Sequence, residues 1–316
     1  MALKPLVLVV GASGNTGKSV IPALLESGNF RVAATSRPSS LSKPDVNELR
    51  AKGVEIRPAE IGSDSVEQLK TVLTGVDILL SVVHFDVVLA QKSLFAAAKE
   101  AGVKRVIPCD FATPGAKGAR QLHDEKLAVR DYIKELGVGY TFIDVGWWMQ
   151  LSTSAGTHSP SMLGPASYEI YGTGDKKLLL TDLNNIGKFV ARILADERTL
   201  NQYVIVWEDE LTWLEVKAIC EQQSGEEDLL RSKRTTLSYE ELKQRAAHSK
   251  EEYLRSPNFL AHIGWVSSEY AISMHILGEN SLENAKALGA LDARELYPDI
   301  VPVKFVDFAK KFYHKQ

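Results

Sequence analysis

Residues 6–17 read Leu6-Val7-Leu8-Val9-Val10-Gly11-Ala12-Ser13-Gly14-Asn15-Thr16-Gly17, and this stretch decides the fold. An unbroken aliphatic run without polar alternation predicts a strand buried on both faces. Three glycines follow, and from Gly17 onward apolar residues recur at helical spacing. In a strand–loop–helix unit the glycines provide a tight turn, close approach of the backbone to a pyrophosphate, and close packing of helix on strand. The helix N-terminus adds unpaired N–H groups and the positive end of its dipole. Gly11, Ser13, Gly14, Asn15, Thr16 and Gly17 are therefore the candidate phosphate-binding residues. The alternative is a glycine-rich turn without a ligand, and the position between a buried strand and a helix argues against it.

The same texture continues outward. Apolar runs at 31–35, 54–58, 77–83, 104–108 and 140–145 alternate with segments of helical periodicity at 17–27, 45–52, 64–73, 87–101 and 119–136. Gly28, Gly53, Gly75, Gly102 and Gly137 fall at the ends of those helices, where a left-handed residue is favoured. Six strands in this rhythm predict a Rossmann-type, doubly wound parallel sheet covering residues 1–150. Beyond that point the pattern loosens. A Ser/Thr/Gly/Pro-rich stretch at 151–176 precedes expected helices at 184–195, 212–223, 239–249, 258–275 and 304–314, with short strands at 177–180 and 202–206. Residues 151–316 are expected to form a smaller, mainly helical substrate domain, some of whose segments return to pack on the first.

Composition excludes several function classes. The chain has 316 residues, 45% hydrophobic, with 37 basic against 40 acidic side chains and a net charge of −3. That balance, without basic clusters, gives no reason to expect nucleic acid or an anionic membrane as partner. No run approaches the roughly 18 apolar residues of a membrane span, and the N-terminal apolar run is too short for a signal peptide. Two cysteines, Cys109 and Cys220, make no disulfide framework and have no metal-ligand spacing. A cytoplasmic setting and no metal are expected, and a homodimer is left open.

Cofactor choice rests on the end of the second strand. NAD-binding chains place an acid roughly twenty residues past the glycines, to hold the ribose 2′-hydroxyl. Here the stretch is Ala34-Thr35-Ser36-Arg37-Pro38-Ser39-Ser40, with no acid before Asp45. Arg37 offers a planar fork of donors to a 2′-phosphate, with Ser39, Ser40 and Lys43 beside it. NADPH is the expected cofactor.

Ligands of open α/β sheets bind at the carboxyl ends of the strands. Two segments fall there, Ser81-Val82-Val83-His84-Phe85 and Pro108-Cys109-Asp110-Phe111-Ala112. The next helix carries His123-Asp124-Glu125-Lys126. A short-chain dehydrogenase would have Tyr-x-x-x-Lys on this helix; Leu122 occupies the tyrosine position and Lys126 the lysine position. Lys126 is thus the leading acid–base or electrostatic group, with His84 the second candidate. Cys109 reads as a small packing residue, and Asp110 and Glu125 as supporting carboxylates. Trp147, Trp148 and Met149, where the chain leaves the sheet, with Phe111 and Tyr168, are the candidate walls for a flat apolar substrate. Tyr171, Trp265 and Met274 are expected near the same cleft.

The chain resembles the isoflavone reductase-like family, which includes phenylcoumaran benzylic ether and pinoresinol–lariciresinol reductases. That family lies within the NmrA-like branch of atypical short-chain dehydrogenases. The resemblance rests on the G-x-x-G-x-x-G loop, Arg37, the helix beginning near Gln91, Arg105-Val106-Ile107-Pro108 and Lys126-Leu127-Ala128-Val129-Arg130. It extends to Gly137-Val138-Gly139-Tyr140-Thr141-Phe142, Asp196-Glu197-Arg198-Thr199-Leu200-Asn201 and Glu295-Leu296-Tyr297-Pro298-Asp299. It implies NADPH-dependent hydride transfer to an electron-poor carbon of an aromatic, often phenolic, or polyketide-like substrate. Lys126 matches the family lysine beside the cofactor, and Gln91 is implied to lie near the cofactor. Two loops depart: Pro108-Cys109-Asp110-Phe111-Ala112 stands where relatives have Pro-Ser-Glu-Phe-Gly, and Val82-Val83-His84 where many have Thr-Val-Gly. They keep two alternatives in view, a dinucleotide-binding redox sensor without turnover and a non-redox isomerase or cyclase on the same scaffold.

Overall fold

Strand and helix alternate from the N-terminus in a computed structural model that describes residues 3–314. The strands are β1 (Leu6–Val10), β2 (Arg31–Ser36), β3 (Glu55–Pro58), β4 (Ile78–Ser81), β5 (Arg105–Ile107) and β6 (Thr141–Asp144). Between them run α1 (Asn15–Ser27), α2 (Pro44–Ala51), α3 (Val66–Val72), α4 (Gln91–Glu100) and α5 (Gln121–Leu136). The first five strands form one parallel sheet in the order β3-β2-β1-β4-β5. Winding reverses between β1 and β4, so the loops leaving these neighbouring strands diverge and open a crevice at their carboxyl ends.

Alternation along β1 feeds two cores. Leu6, Leu8 and Val10 face one side with Leu94, Phe95, Val129 and Ile133 of α4 and α5. Val7 and Val9 face the other with Val20, Ile21 and Leu24 of α1. Each of those three α1 side chains is at most 1% exposed, and burial of each contributes about 1.5–3 kcal/mol.

Segments beyond residue 150 build directly on this layer. A second parallel ladder runs from β6 through the central β10 (Gln202–Ile205) to β13 (Ala290–Asp292). A single bridge between Val106 and Tyr140 joins it to β5. Helix α6 (Ile186–Ala195) lies across α1, and Gly187 makes the crossing possible: a Cβ there would sit 2.0 Å from the Ser19 carbonyl oxygen. The Gly187 N–H donates to Ser19 Oγ at 2.9 Å, and that hydroxyl donates to the Asn184 carbonyl.

The rest of the later half mixes helices with small sheets that the sequence reading did not foresee. β7 (Trp147–Trp148) and β11 (Asp209–Thr212) flank β9 (Lys177–Thr181), and β8 (Glu169–Tyr171) pairs with β12 (Thr235–Leu237). The helices are α7 (Trp213–Ser224), α8 (Glu227–Ser232), α9 (Tyr239–Arg255), α10 (Phe259–Ala271), α11 (Leu282–Ala287), α12 (Ala293–Leu296) and α13 (Phe305–Tyr313). The single helix expected over 258–275 departs from plan: α10 ends at Ala271 and widens into a π turn over Ile272–Ile276. Strand β4 is shorter than the 77–83 run because the chain breaks out of the sheet at Val82 toward the crevice. The fourth helix begins at Gln91 rather than 87, after a 3₁₀ turn over Phe85–Val87. Among the described residues no helix is long and apolar enough to cross a membrane, and no cluster of metal-ligating side chains occurs.

Candidate functional site

The loop after β1 has no room for side chains at two of its glycines. Gly11 sits at φ +89°, and a Cβ there would lie 2.5 Å from the Val82 carbonyl oxygen at the end of β4. A Cβ on Gly17 would lie 2.4 Å from the Ala12 carbonyl oxygen. The loop therefore hugs the end of β4, packs the start of α1 against its own backbone and delivers Gly14 as the N-cap of α1, where no side chain takes up the first-turn N–H groups. That cradle fits a pyrophosphate. At the tip of β2, Arg37, Ser39 and Lys43 are exposed, whereas Ser40 is buried. Among the described residues the Arg37 guanidinium has no hydrogen-bond or ion-pair partner, so its donors are free for an anion.

A cavity of about 290 Å³ opens between the β1, β4 and β5 loops, lined by Gly14, Asn15, Thr16, Val82 to Phe85, Cys109 to Phe111, Lys126 and Trp148. The glycine loop, both divergent loops and the helix lysine thus share one wall system. Lys126 is 7% exposed, and its Nζ donates to the Asp110 main-chain carbonyl at 2.6 Å. That carbonyl is aimed by an unusual backbone: Phe111 adopts φ +42°, a left-handed conformation that costs a non-glycine residue about 1–2 kcal/mol.

Asp110 is 1% exposed and accepts from Arg130 Nε at 3.0 Å. Arg130 also donates to Asp144 Oδ1 at 3.1 Å, and the Tyr203 hydroxyl donates to Asp144 Oδ2 at 2.7 Å. Burial raises the Asp110 carboxyl above its ordinary value against the pull of Arg130. For Asp144 burial is the largest influence and acts upward, but Arg130, His123, the Tyr203 hydroxyl and Lys126 together outweigh it and hold the group low. Asp144 on β6, rather than Glu125, is thus the second carboxylate of the site; Glu125 instead accepts from Gln121 one turn earlier.

His84 borders the cavity with its side chain 57% exposed, and its Nδ1 lies 2.7 Å from Asp86 Oδ1. Burial pushes the Cys109 thiol up to about 11, and its Sγ donates to the Val83 carbonyl at 3.0 Å. Gln91 does not line the cavity. It is fully buried, accepting from the Cys109 N–H and donating to the Val88 carbonyl, both at 2.9 Å, and so braces the β4 loop against the β5 loop.

The expected substrate walls divide. Trp148 and Phe111 line the cleft. Trp147, its neighbour on β7, points the opposite way into a second cavity of about 270 Å³, beside Tyr171, Trp213, Ile263 and Met274. Met149 lines neither, because it is fully buried in the core at the start of a 3₁₀ turn. Tyr168 also lies outside both cavities and donates to the Ala155 carbonyl at 2.8 Å, pinning the 151–168 segment. Trp265 donates to Glu269 and lines neither cavity. Two nitrogens in the second cavity's lining residues, Trp147 Nε1 and His275 Nδ1, are buried without partners. Sequence reading missed His275 and Ile263, although Ile263, Ser267, Ala271 and His275 recur every four residues and mark one face of the helix.

Residues 3–258 match the model of the NmrA-like family. The chain belongs to that family. A relative from Aspergillus novofumigatus, asnovolin J 5′,6′-dehydrogenase, is 31% identical over 313 residues, covering 96% of this chain and 94% of its own. Pinoresinol reductase 1 of Arabidopsis thaliana is 28% identical over 332 residues, covering 98% and 97%. Among solved structures, the leucoanthocyanidin reductase–NADPH complex of Vitis vinifera has a TM-score of 0.81 at 22% identity, covering 98% of this chain and all of that one. The fold expected from the sequence, and the resemblance to isoflavone reductase-like proteins, are borne out by these likenesses.

Proposed function

We propose that this NmrA-like protein is an NADPH-dependent reductase of an aromatic, phenolic or polyketide-like small molecule. The observation that carries the reading is the single cavity shared by the glycine loop and Lys126. The names of the relatives, reductases of pinoresinol and a dehydrogenase among them, support a hydride-transfer chemistry. When bound, the cofactor supplies a hydride at the carboxyl ends of the strands.

In this reading the chain's own residues do the rest. Gly11 to Gly17 hold the pyrophosphate through main-chain N–H groups, and Arg37, with Ser39 and Lys43 beside it, pairs with the 2′-phosphate. Gln91 acts indirectly, keeping the loops after β4 and β5 at fixed separation. Lys126 faces the reacting part of the substrate, with His84, which borders the same cavity, as a second proton-handling group. Trp148 and Phe111 flank a planar ring and exclude water. A sensor without turnover has no need for a buried lysine at the cleft.

The test is titration with NADPH and NADH, then incubation with phenolic ethers and enones under NADPH, and with the corresponding saturated compounds under NADP⁺. NADPH-selective binding with substrate-dependent change in nicotinamide absorbance is expected. Binding of neither dinucleotide would overturn the reading.

A further inference from the structure

The cavity behind Trp147 has no part in the hydride-transfer reading. It holds about 270 Å³ and lies across β7 from the cofactor cleft. Successive side chains of a strand point to opposite faces, so Trp148 lines the cleft and Trp147 the second cavity. Among the described residues none lines both, and β7 is the partition between them. The second cavity shares His275 instead with an outer pocket of about 460 Å³, and exposed Met162 and Ile263 give it an apolar lip.

Two features mark it as a binding site. Buried polar atoms are ordinarily hydrogen-bonded, yet Trp147 Nε1 and Nδ1 of His275, a residue only 2% exposed, have no partner. The π turn over Ile272–Ile276 is the second feature: its extra residue lets two successive side chains, Met274 and His275, both reach the cavity wall. Such turns recur at functional positions. The wall also limits the ligand's chemistry. Arg245 is neutralised by Glu169 through two hydrogen bonds of 2.9 and 3.0 Å. Burial, with the nearby Lys217 cation, drives His275 down to about 3, so it is neutral at physiological pH. The Ser267 and Ser268 hydroxyls donate to the Gly264 carbonyl. Among the described residues no unpaired charge faces the cavity, so an ionised ligand would lose its water without compensation. The Trp147 N–H is a donor only and requires an acceptor oxygen. Tyr171, Trp213 and Met274 offer apolar faces to a ring.

We propose that this cavity is a ligand site separate from the cofactor cleft, and that it takes an uncharged, mainly apolar ring compound whose carbonyl oxygen accepts from Trp147 Nε1. Its volume lies near the small end of the roughly 300–1,000 Å³ typical of small-molecule sites, which suits a compound of about two fused rings. The apolar lip and the outer pocket give it an entrance of its own. The site does not rest on the reductase reading, because none of its walls belongs to the glycine loop or carries Lys126.

The experiment is fluorescence titration of the full-length protein with Prodan, a neutral naphthalene ketone. Its emission moves to the blue in apolar surroundings and back to the red when its carbonyl accepts a hydrogen bond. One Prodan should bind per chain, with saturating NADPH leaving it in place. The matching carboxylate, 6-(dimethylamino)-2-naphthoate, should bind about tenfold more weakly or worse. Trp147→Phe keeps a ring in the wall and removes the donor. It should weaken Prodan about two- to tenfold, the loss of one net hydrogen bond, and move the bound emission further to the blue. Ala271→Leu fills the cavity from α10 and should weaken Prodan about tenfold or more. NADPH affinity within about twofold of wild type shows that each variant is folded; should Ala271→Leu fail to fold, Trp147→Phe decides alone. Absence of Prodan binding overturns the proposal, as does its displacement by NADPH or equal binding of the carboxylate. So do unchanged affinity and emission in folded Trp147→Phe. A chain that binds Prodan as expected but no dinucleotide keeps this site and loses the reductase reading instead.

Discussion

Adding one methyl group at Gly17 tests the phosphate cradle. Its Cβ would stand 2.4 Å from the Ala12 carbonyl oxygen, where an ordinary contact begins near 3.4 Å, so loop and helix must part by about 1 Å. Helix α1 cannot retreat, because α6 crosses it so closely that even a Cβ on Gly187 would meet the Ser19 carbonyl oxygen at 2.0 Å. The movement falls on residues 11–14, whose N–H groups hold the pyrophosphate in the proposed complex. Overpacking costs about 1–3 kcal/mol, which a chain stable by roughly 5–15 kcal/mol survives. Losing one charge-assisted hydrogen bond, worth about 1.5–3 kcal/mol, weakens binding by about 10- to 150-fold. NADPH fluorescence titration at fixed salt reads this directly, with thermal melting to confirm the fold. Gly28→Ala is the control: Gly28 sits at φ +64° with nothing within 4 Å of its would-be Cβ, so stability falls by about 1–2 kcal/mol and affinity is unchanged. A folded Gly17→Ala variant that binds NADPH as tightly as wild type refutes the cradle.

Arg37→Ala should weaken NADPH binding by about 10- to 100-fold, a bidentate charge-assisted pair, and NADH binding hardly at all; equal losses for both would remove its assigned role. Lys126→Ala should abolish turnover in single-turnover assays while NADPH affinity stays within about threefold of wild type, and retained turnover would shift the chemistry to His84. Acid stability provides a fourth measurement. Burial depresses His123 to about 4 and His275 to about 3 from an ordinary 6.5, the latter helped by nearby Lys217. Both are neutral in the fold but protonate in the unfolded chain, so their contribution is complete above pH 6.5 and is lost as pH falls toward their folded values. Two histidines at about 1.4 kcal/mol per pH unit remove about 5 kcal/mol between pH 6.5 and 4.5. His275→Phe should roughly halve that slope in urea titrations; an unchanged slope would show that His275 is already charged.

The N-terminal half of the fold was legible because its signals are local. Buried parallel strands read as unbroken aliphatic runs, and glycines stop the helices where left-handed backbone is needed. The cofactor loop was legible for the same reason, since Gly11 and Gly17 are demanded by backbone contacts within a few residues or one strand away. Where the reading failed, long-range packing decides. Met149 follows Trp148 in sequence, yet the chain turns into a 3₁₀ segment and buries it. The small strands Glu169–Tyr171 and Thr235–Leu237 are three residues each and exist only because they find one another 66 positions apart. Asp144 was invisible as a site residue because nothing local distinguishes a strand aspartate that meets an arginine on the preceding helix.

The crossing of α6 over α1 bears on how the protein is made. Helix α1, which carries the phosphate loop, has one apolar face against the sheet and another under Ile186, Phe189 and Val190. During synthesis those partners leave the ribosome only after more than half the chain has been made, which at 5–20 residues per second leaves α1 half-clothed for about 8–30 seconds. Strand β6 waits a shorter time for β10, which begins 58 residues further along the chain. The nucleotide site, although written in the first forty residues, is therefore among the later parts to mature, and a messenger cut short at residue 150 would yield a sticky fragment rather than a small dinucleotide-binding module.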